Sequence, residues 1–355
     1  MDSDKYVAMD VHKASVVIGI RDAAGKYIME SIVETKAATL LDFVKGLSGT
    51  IHLTLEEGTH SAWLYDLLKP HVAELVVCNP RRNKLLEDGN KADVIDVQKL
   101  SHLFRAGLLH SVYHGDHGTR ALKELAQNYE SLVSDRVRVK NRIKAIYRGR
   151  GISCEREEVY QRKQRAKWLA QLSESGVRGR AESLYQQLES LDPLVTAARK
   201  QMLAESRKQK STRVLRQMPT LGPIWAALII ATVDTPHRFR TKRQFWAYCG
   251  LAVVTRSSAD YWFDKKGELR KSRRPAATRG LNQNYNRRLK KIFKCAAIVG
   301  TLKEPFKPYY EQLLAKGLRP ELARLTLARK IAAITLAVWK KGERFDPEKL
   351  TKLTT

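Results

Sequence analysis

The chain has 355 residues, 43% apolar and 29% charged, and its 65 Lys and Arg against 37 Asp and Glu give a formal net charge of +28. The apolar share excludes a disordered or fibrous chain, and the length allows two or three domains, each burying its own core. The longest apolar run, IWAALIIATV at 224–233, is far short of the about 18 residues a membrane span requires.

The N-terminus MDSDKYVAMD has no secretory pattern, so a soluble, cytoplasmic protein with no membrane partner is expected. Cys78, Cys154, Cys249 and Cys295 are scattered without C-x-x-C spacing, which predicts reduced, buried thiols rather than zinc knuckles or disulfides. The charge is uneven. Residues 1–115 hold 13 Lys and Arg against 15 Asp and Glu, and the remainder holds 52 against 22. All the excess positive charge follows residue 115, among apolar residues at helical spacing, and a polyanion such as nucleic acid is its natural partner.

In chain order, KYVAMDV, SVVIGIRD and YIMESIV read as three strands, with DAAGK turning between the last two. ATLLDFVKGL has helical spacing, and IHLTLEE alternates apolar residues at Ile51, Leu53 and Leu55 as a fourth strand. SAWLYDLLKP then reads as a helix, AELVVCNP as a strand and DVIDVQKLSHLFRAG as a helix. Three antiparallel strands followed by helix–strand alternation predict an α/β mixed sheet of the ribonuclease H type.

Four acids fall where such a sheet makes them useful. Asp10 ends the first strand and Glu56 the fourth, with Glu57 as its rival, while Asp93 and Asp96 stand one turn apart on one helical face. Singly, each has an ordinary reading as a turn residue, a solvated side chain or a complement to the helix dipole. Together they are an oxygen ligand set for hard divalent cations, and a Mg²⁺ pair clamping a phosphodiester needs carboxylates converging from several elements.

The middle of the chain is helical. Leu122, Leu125, Tyr129, Leu132, Arg136, Val139, Ile143 and Ile146 keep 3,4 spacing, a coiled-coil seam. A second seam runs through Leu184, Leu188, Leu191, Val195, Ala198 and Met202, with Pro193 expected to kink it or start a new helix. The polar stretch RGRGISCEREEVYQRKQR connects them, giving an antiparallel hairpin or dimerisation arm. Arg136, Lys140, Lys144 and Arg148 form a basic stripe suited to phosphates.

Beyond residue 211, LRQMPTLGPIWAALIIATV places a turn at Gly222 and Pro223 at a helix start, like a helix-hairpin-helix that holds a phosphate on backbone N–H groups. Aromatics then interleave with Lys and Arg through DTPHRFRTKRQFWAYCGL and AVVTRSSADYWFDKKGELRKSRRP, as nucleic-acid surfaces often require. Lys265, Lys266, Arg270, Lys271, Arg273 and Arg274 are candidate backbone contacts to RNA or DNA. The histidines of HSVYHGDHG, His110, His114 and His117, fit no common zinc spacing and read as solvated.

In YVAMDVHK, LTLEEGTHSAWLYDLL, NPRRNKLLEDGNKADVIDVQKLSHLFRAG, MPTLGPIWAALIIATV and RQFWAYCGL, the chain resembles the DEDD-type insertion-sequence transposases. These are relatives of the Piv-like DNA invertases and are bridge-RNA-guided serine recombinases. The resemblance spans nearly the whole length. It implies a RuvC-like domain over 1–115 with the tetrad Asp10, Glu56, Asp93 and Asp96, a helical arm over 116–210, and a mainly helical transposase domain over 211–355.

It further implies a nucleophilic serine, Ser258 first and Ser257 second, in GLAVVTRSSADYW, where Ala259 and Asp260 stand in place of the family's frequent glycine. Mg²⁺, a structured bridge RNA, double-stranded target and donor DNA, a tetrameric assembly and a nucleoid location complete the implied set. Two other readings of the residues are a hydrolytic RuvC-like nuclease or resolvase that activates water, and a non-catalytic nucleic-acid scaffold.

Overall fold

The computed structural model describes residues 4–80, 92–115, 117–256, 261–263, 268–271 and 277–348. Two compact units divide the chain, Met1–Asp116 and His117–Thr355.

The first unit is built on five strands, β1 (Lys5–Val11), β2 (Ser15–Asp22), β3 (Tyr27–Glu34), β4 (Ile51–Glu56) and β5 (Glu74–Cys78). Their order is β3-β2-β1-β4-β5. β1, β2 and β3 pair antiparallel, and β4 and β5 continue the sheet parallel to β1. Helices α1 (Ala37–Lys45) and α2 (Ser61–Leu68) supply the crossovers, and α3 (Asp93–Arg105) follows β5. The expected mixed sheet is therefore present, and its topology fits a RuvC-like domain.

Strand parity sorts the side chains onto two faces. Val7, Met9, Ile18, Leu53 and Leu55 form one core with Leu40, Val44, Leu64 and Leu68 of α1 and α2. On the opposite face Ala8, Val17 and Cys78 pack with Val97 and Leu100 of α3. That second face is lined by small residues where α3 crosses it. Ala8 pairs with Gly19, and a Cβ at Gly19 would lie 3.0 Å from Val97 Cγ2 and 2.9 Å from the Tyr27 hydroxyl.

The absent side chain is what lets α3 lie close on the sheet. Arg21 then ties the helix to β2, its guanidinium donating to Ser101 Oγ at 3.1 Å and to the Gln98 carbonyl at 3.2 Å.

In the second unit, α4 (Arg120–Arg148) and α6 (Ser175–Arg207) run antiparallel. The start of α4 and the end of α6 share one core through Leu122, Ala126 and Met202. Their other ends share a second core through Val139, Ile143, Ile146, Ala181, Leu184 and Leu188. α6 passes through Pro193 as one helix, and the proline is exposed. The proline removes one i→i−4 hydrogen bond, and the burial of Leu188 and Val195 on either side of it accompanies a helix that continues.

The connection between the helices is more than a polar loop. Cys154, Val159 and Leu172 are buried in the distal core, a short helix α5 (Arg165–Leu169) precedes α6, and the Tyr185 hydroxyl donates to the Val159 carbonyl at 2.9 Å.

The proximal core gathers α8 (Pro223–Val233), α9 (Lys242–Tyr248), α10 (Arg287–Gly300) and α12 (Pro320–Lys341) around Phe245, Phe293 and Ile331. α7 (Lys210–Leu215) precedes α8, for which Gly222 is the N-cap and Pro223 the first residue. Among the described residues between α9 and α10 are four short strands, β6 (Val253–Arg256), β7 (Tyr261–Phe263), β8 (Leu269–Lys271) and β9 (Ala277–Leu281). They form two antiparallel pairs, β6–β9 and β7–β8. Helix α11 (Lys307–Ala315) completes the unit. All four cysteines are free, and Cys78, Cys154 and Cys249 are buried. No described helix is long and apolar enough to cross a membrane.

A Gly19→Val variant places a Cβ and two methyl groups against Val97 and Tyr27. The expected outcome is destabilisation on the order of 1–3 kcal/mol, read as a lower midpoint in chemical denaturation.

Candidate active site and nucleic-acid interface

The acids gather because of register. β1 and β4 are parallel with Met9 opposite Leu55, so the next positions, Asp10 and Glu56, are neighbours at the carboxyl ends of adjacent strands. Both have the parity of Ala8 and Thr54 and therefore face α3. Asp93 opens α3 and Asp96 follows one turn later. Both head the stripe that continues through Val97, Leu100 and Phe104 into the sheet. The apolar stripe buries, and in doing so it carries the two carboxylates over the strand ends.

Glu57 does not join them. It lies beyond the end of β4 and accepts from His114 Nε2 at 2.9 Å, and the His114 ring stacks on Tyr65 with centroids 4.9 Å apart. His114 is thus partnered rather than solvated, because the segment after α3 folds back along the sheet, where the Val112 N–H donates to the Val77 carbonyl. His110 and Ser111 lie on the same segment.

Burial pushes the Asp10 carboxyl above its ordinary range. His12 opposes that shift, and Asp93 and Asp96 add to it. Glu56 is raised by burial and then by repulsion from Asp10 and Asp96. Each cause is a cost that a bound cation would offset. An all-oxygen carboxylate set with mutual repulsion is chemically suited to a hard divalent ion.

One member of the cluster was not anticipated from the sequence. His12 Nε2 lies 3.2 Å from Asp10 Oδ2 and 3.3 Å from Asp93 Oδ2, and these three residues can present ligand atoms to one ion. The signal was the spacing in DVHK. A residue two positions after Asp10 keeps its parity, and the tight turn closed by the His12 N–H on the Ser15 carbonyl holds it at the strand end.

Ser257 and Ser258 lie outside the described residues, between β6 and β7 in sequence. β6 is reached through Gly250, whose φ is +67°. A Cβ there would lie 2.5 Å from the Tyr285 ring, so this glycine meets both a backbone and a packing requirement. Lys265, Lys266, Arg273 and Arg274 also fall outside the described residues. Lys271 belongs to β8, and Arg270 pairs with Glu268 at 3.1 Å.

The stripe on α4 has partners. Arg136 faces Asp192 at 3.5 Å, Lys140 pairs with Glu157 at 2.7 Å, and Lys144 donates to the Glu155 carbonyl at 3.0 Å. The Lys140 and Lys144 ammonium groups stand 4.4 and 5.3 Å from the centre of the Tyr160 ring. The Lys140 hydrogen bond holds the Glu157 carboxyl below its ordinary value. Arg148 is exposed at the end of the stripe. Gly222 is exposed at the α8 N-terminus, with open space where a Cβ would stand.

A less compensated basic face lies on α10, where Arg287, Lys291 and Lys294 are exposed and have no ion-pair partner among the described residues. The Lys290 ammonium stands 3.9 Å from the centre of the Tyr285 ring. Arg288, on the inner side, pairs with Glu130 and donates to Thr232 Oγ1. Its sequence signal is the run NRRLKKIFK, in which cations alternate with apolar residues at helical spacing.

The mixed five-stranded sheet, with Asp10 and Glu56 at the ends of β1 and β4, fits a RuvC-like DEDD domain. Residues 7–149 match the family model described as DEDD_Tnp_IS110, Transposase, and residues 212–311 match that of the Transposase IS116/IS110/IS902 family. The chain belongs to this family of insertion-sequence DEDD transposases and is a DNA recombinase/transposase enzyme. Comparison with the curated proteins finds no match.

Glu56→Gln removes a carboxyl whose pKa is raised in the fold. Such a group favours folding only while protonated, and its contribution is lost as pH rises through the folded value. In chelator-treated protein at pH 7, Glu56→Gln should therefore raise the melting temperature by on the order of 1–3 °C. The gain should vanish below about pH 4, where the unfolded carboxyl is also protonated. A differential scanning calorimetry series across pH reads both.

Proposed function

We propose that the protein is a bridge-RNA-guided recombinase that exchanges DNA strands through a covalent phosphoserine link. The observation that carries this reading is the convergence of Asp10, Glu56, Asp93 and Asp96 in a chain matched along two segments by one transposase family. The serine assignment, Ser258 before Ser257, rests on the family resemblance of GLAVVTRSSADYW.

In the proposed reaction Ser258 Oγ attacks a scissile phosphorus, the O–P bond to the seryl oxygen forms, and the bond to one nucleotide oxygen breaks, that oxygen leaving as a hydroxyl with the proton the serine gives up. Attack by the exchanged strand reverses the step and restores the serine. One phosphodiester is consumed for each one made, so no nucleotide triphosphate is required. Mg²⁺ bound by the tetrad would supply electrophilic stabilisation of the phosphoryl oxygens.

Asp10 and Glu56 on adjacent strands and Asp93 and Asp96 on α3 are the residues that would hold that ion. Strand exchange needs several active sites held together, and a tetramer in which α4 and α6 act as a coiled-coil assembly arm meets that need. A structured RNA pairing with target and donor DNA would carry sequence choice, leaving the protein to read backbone and shape. Double-stranded DNA would place the protein at the nucleoid.

Phosphate contacts are assigned to Arg148, to the partnered cations Arg136, Lys140 and Lys144, which would exchange carboxylates for phosphates, and to the Gly222 turn. Lys265, Lys266, Arg270, Lys271, Arg273 and Arg274 join this set. The uncompensated α10 face adds Arg287, Lys291 and Lys294, and it follows directly on β9, the partner of the strand leading to Ser257 and Ser258.

Sequencing the RNA that co-purifies with the full-length chain tests the guided reading; absence of any discrete RNA would refute it. With that RNA, wild type should form a protein–DNA adduct that survives denaturing electrophoresis. Ser258→Ala should form none and lose at least about a thousandfold in recombination. Undiminished cleavage by Ser258→Ala, together with its loss in Asp10→Asn, would favour the hydrolytic nuclease instead. A Lys291→Ala/Lys294→Ala double variant should lower the slope of log affinity for DNA against log salt by about 2.

A further inference from the structure

His12 is not one of the four acids, yet it lies against two of them, Asp10 and Asp93. Its Nε2 is 3.2 Å from Asp10 Oδ2 and 3.3 Å from Asp93 Oδ2. Ligand atoms at adjacent vertices of an octahedral ion, with bonds of about 2.1 Å, stand roughly 3 Å apart. Both nitrogen–oxygen distances are compatible with that spacing, and all three ligand atoms lie within 4.8 Å of one another.

The backbone holds the histidine in this position from both sides. Its N–H donates to the Ser15 carbonyl at 2.9 Å, and its own carbonyl accepts from Thr35 Oγ1 at 2.9 Å. The side chain is 44% exposed, so the nitrogen is open to an ion arriving from solvent.

We propose that His12 is a nitrogen ligand to the cation held by Asp10 and Asp93, and that it makes this position bind Mn²⁺ more tightly than Mg²⁺. The proposal rests on the reading of the tetrad as a metal site. Mg²⁺ is hard and keeps oxygen ligands and water, whereas imidazole suits first-row transition ions and Mn²⁺ accepts both donor types. A tetrad of carboxylates alone would discriminate weakly between the two ions. One imidazole in the sphere gives the site a preference that the carboxylates lack. The competing role for His12 is a hydrogen-bonding stand-in that bridges the two carboxylates until an ion displaces it. The two roles predict opposite signs when the ring is removed.

The test uses the full-length chain after chelator treatment, titrated with Mn²⁺ under electron paramagnetic resonance and with Mg²⁺ in competition. Pulsed measurements on the Mn²⁺ form should show ¹⁴N coupling from a directly bound imidazole, and His12→Ala should abolish it. That variant should lose about tenfold or more in Mn²⁺ affinity, with Mg²⁺ affinity changed less than about twofold. Circular dichroism spectra matching wild type would show that the variant is folded.

Bound Mn²⁺ without ¹⁴N coupling in wild type, coupling that persists in His12→Ala, or tighter Mn²⁺ binding by His12→Ala would each overturn the proposal. Asp10→Asn/Asp93→Asn separates the two levels. If it abolishes Mn²⁺ binding while wild type shows no ¹⁴N coupling, the tetrad stands and His12 is no ligand. If it leaves Mn²⁺ binding intact, the metal-site reading fails and the His12 proposal with it.

Discussion

Four carboxylates repel one another, and the N-terminal unit is organised around keeping them together. The opposing force is apolar. Val97, Leu100 and Phe104 bury one stripe of α3 against the sheet, and Asp93 and Asp96 are carried at the head of that stripe. How close they come depends on what lies beneath, which is why the pairing of Ala8 with Gly19 matters. The sheet supplies Asp10 and Glu56 by parallel pairing of β1 with β4, a geometry that places strand ends of equal parity side by side. The raised pKa values of Asp10 and Glu56 express the residual cost of this arrangement. Perturbed carboxyls of this kind gather at functional sites.

The second unit distributes its positive charge unequally in effect. On α4 the cations face carboxylates and a carbonyl brought in by α6 and by the segment before α5. On α10 the exposed cations face no described acid. A polyanion meeting α4 has to compete with existing partners, whereas one meeting α10 gains the full interaction. Equal sequence charge therefore does not mean equal affinity for phosphate.

Much of this was readable beforehand because the N-terminal strands alternate cleanly and the long helices keep an unbroken heptad. Glu56 and Glu57 could not be separated, since a strand end displaced by one residue reverses parity, and only the register of Met9 against Leu55 decides which faces α3. His12 was legible as a residue but not as a neighbour of Asp93, which comes from an element some 80 positions away. Asp192, 56 positions beyond Arg136, was hidden for the same reason, and Glu157, 17 beyond Lys140, because the connection folds back on α4. Strands of three to five residues such as β6 to β9 are too short to display a period of two.

The helix pair α4 and α6 has a mechanical consequence. At 1.5 Å per residue the 29 residues of α4 extend about 44 Å. The pair carries one apolar core at its far end and is rooted in another. It is a lever with a stiff tip and a packed fulcrum. A rotation of about 5° at the root sweeps the tip through an arc of roughly 4 Å, comparable to the spacing between packed atoms. Leu251, which leads into β6, is buried in the same root core as Leu122 and Met202. A displacement of the tip is thus felt first in the core that also holds Leu251, just before β6.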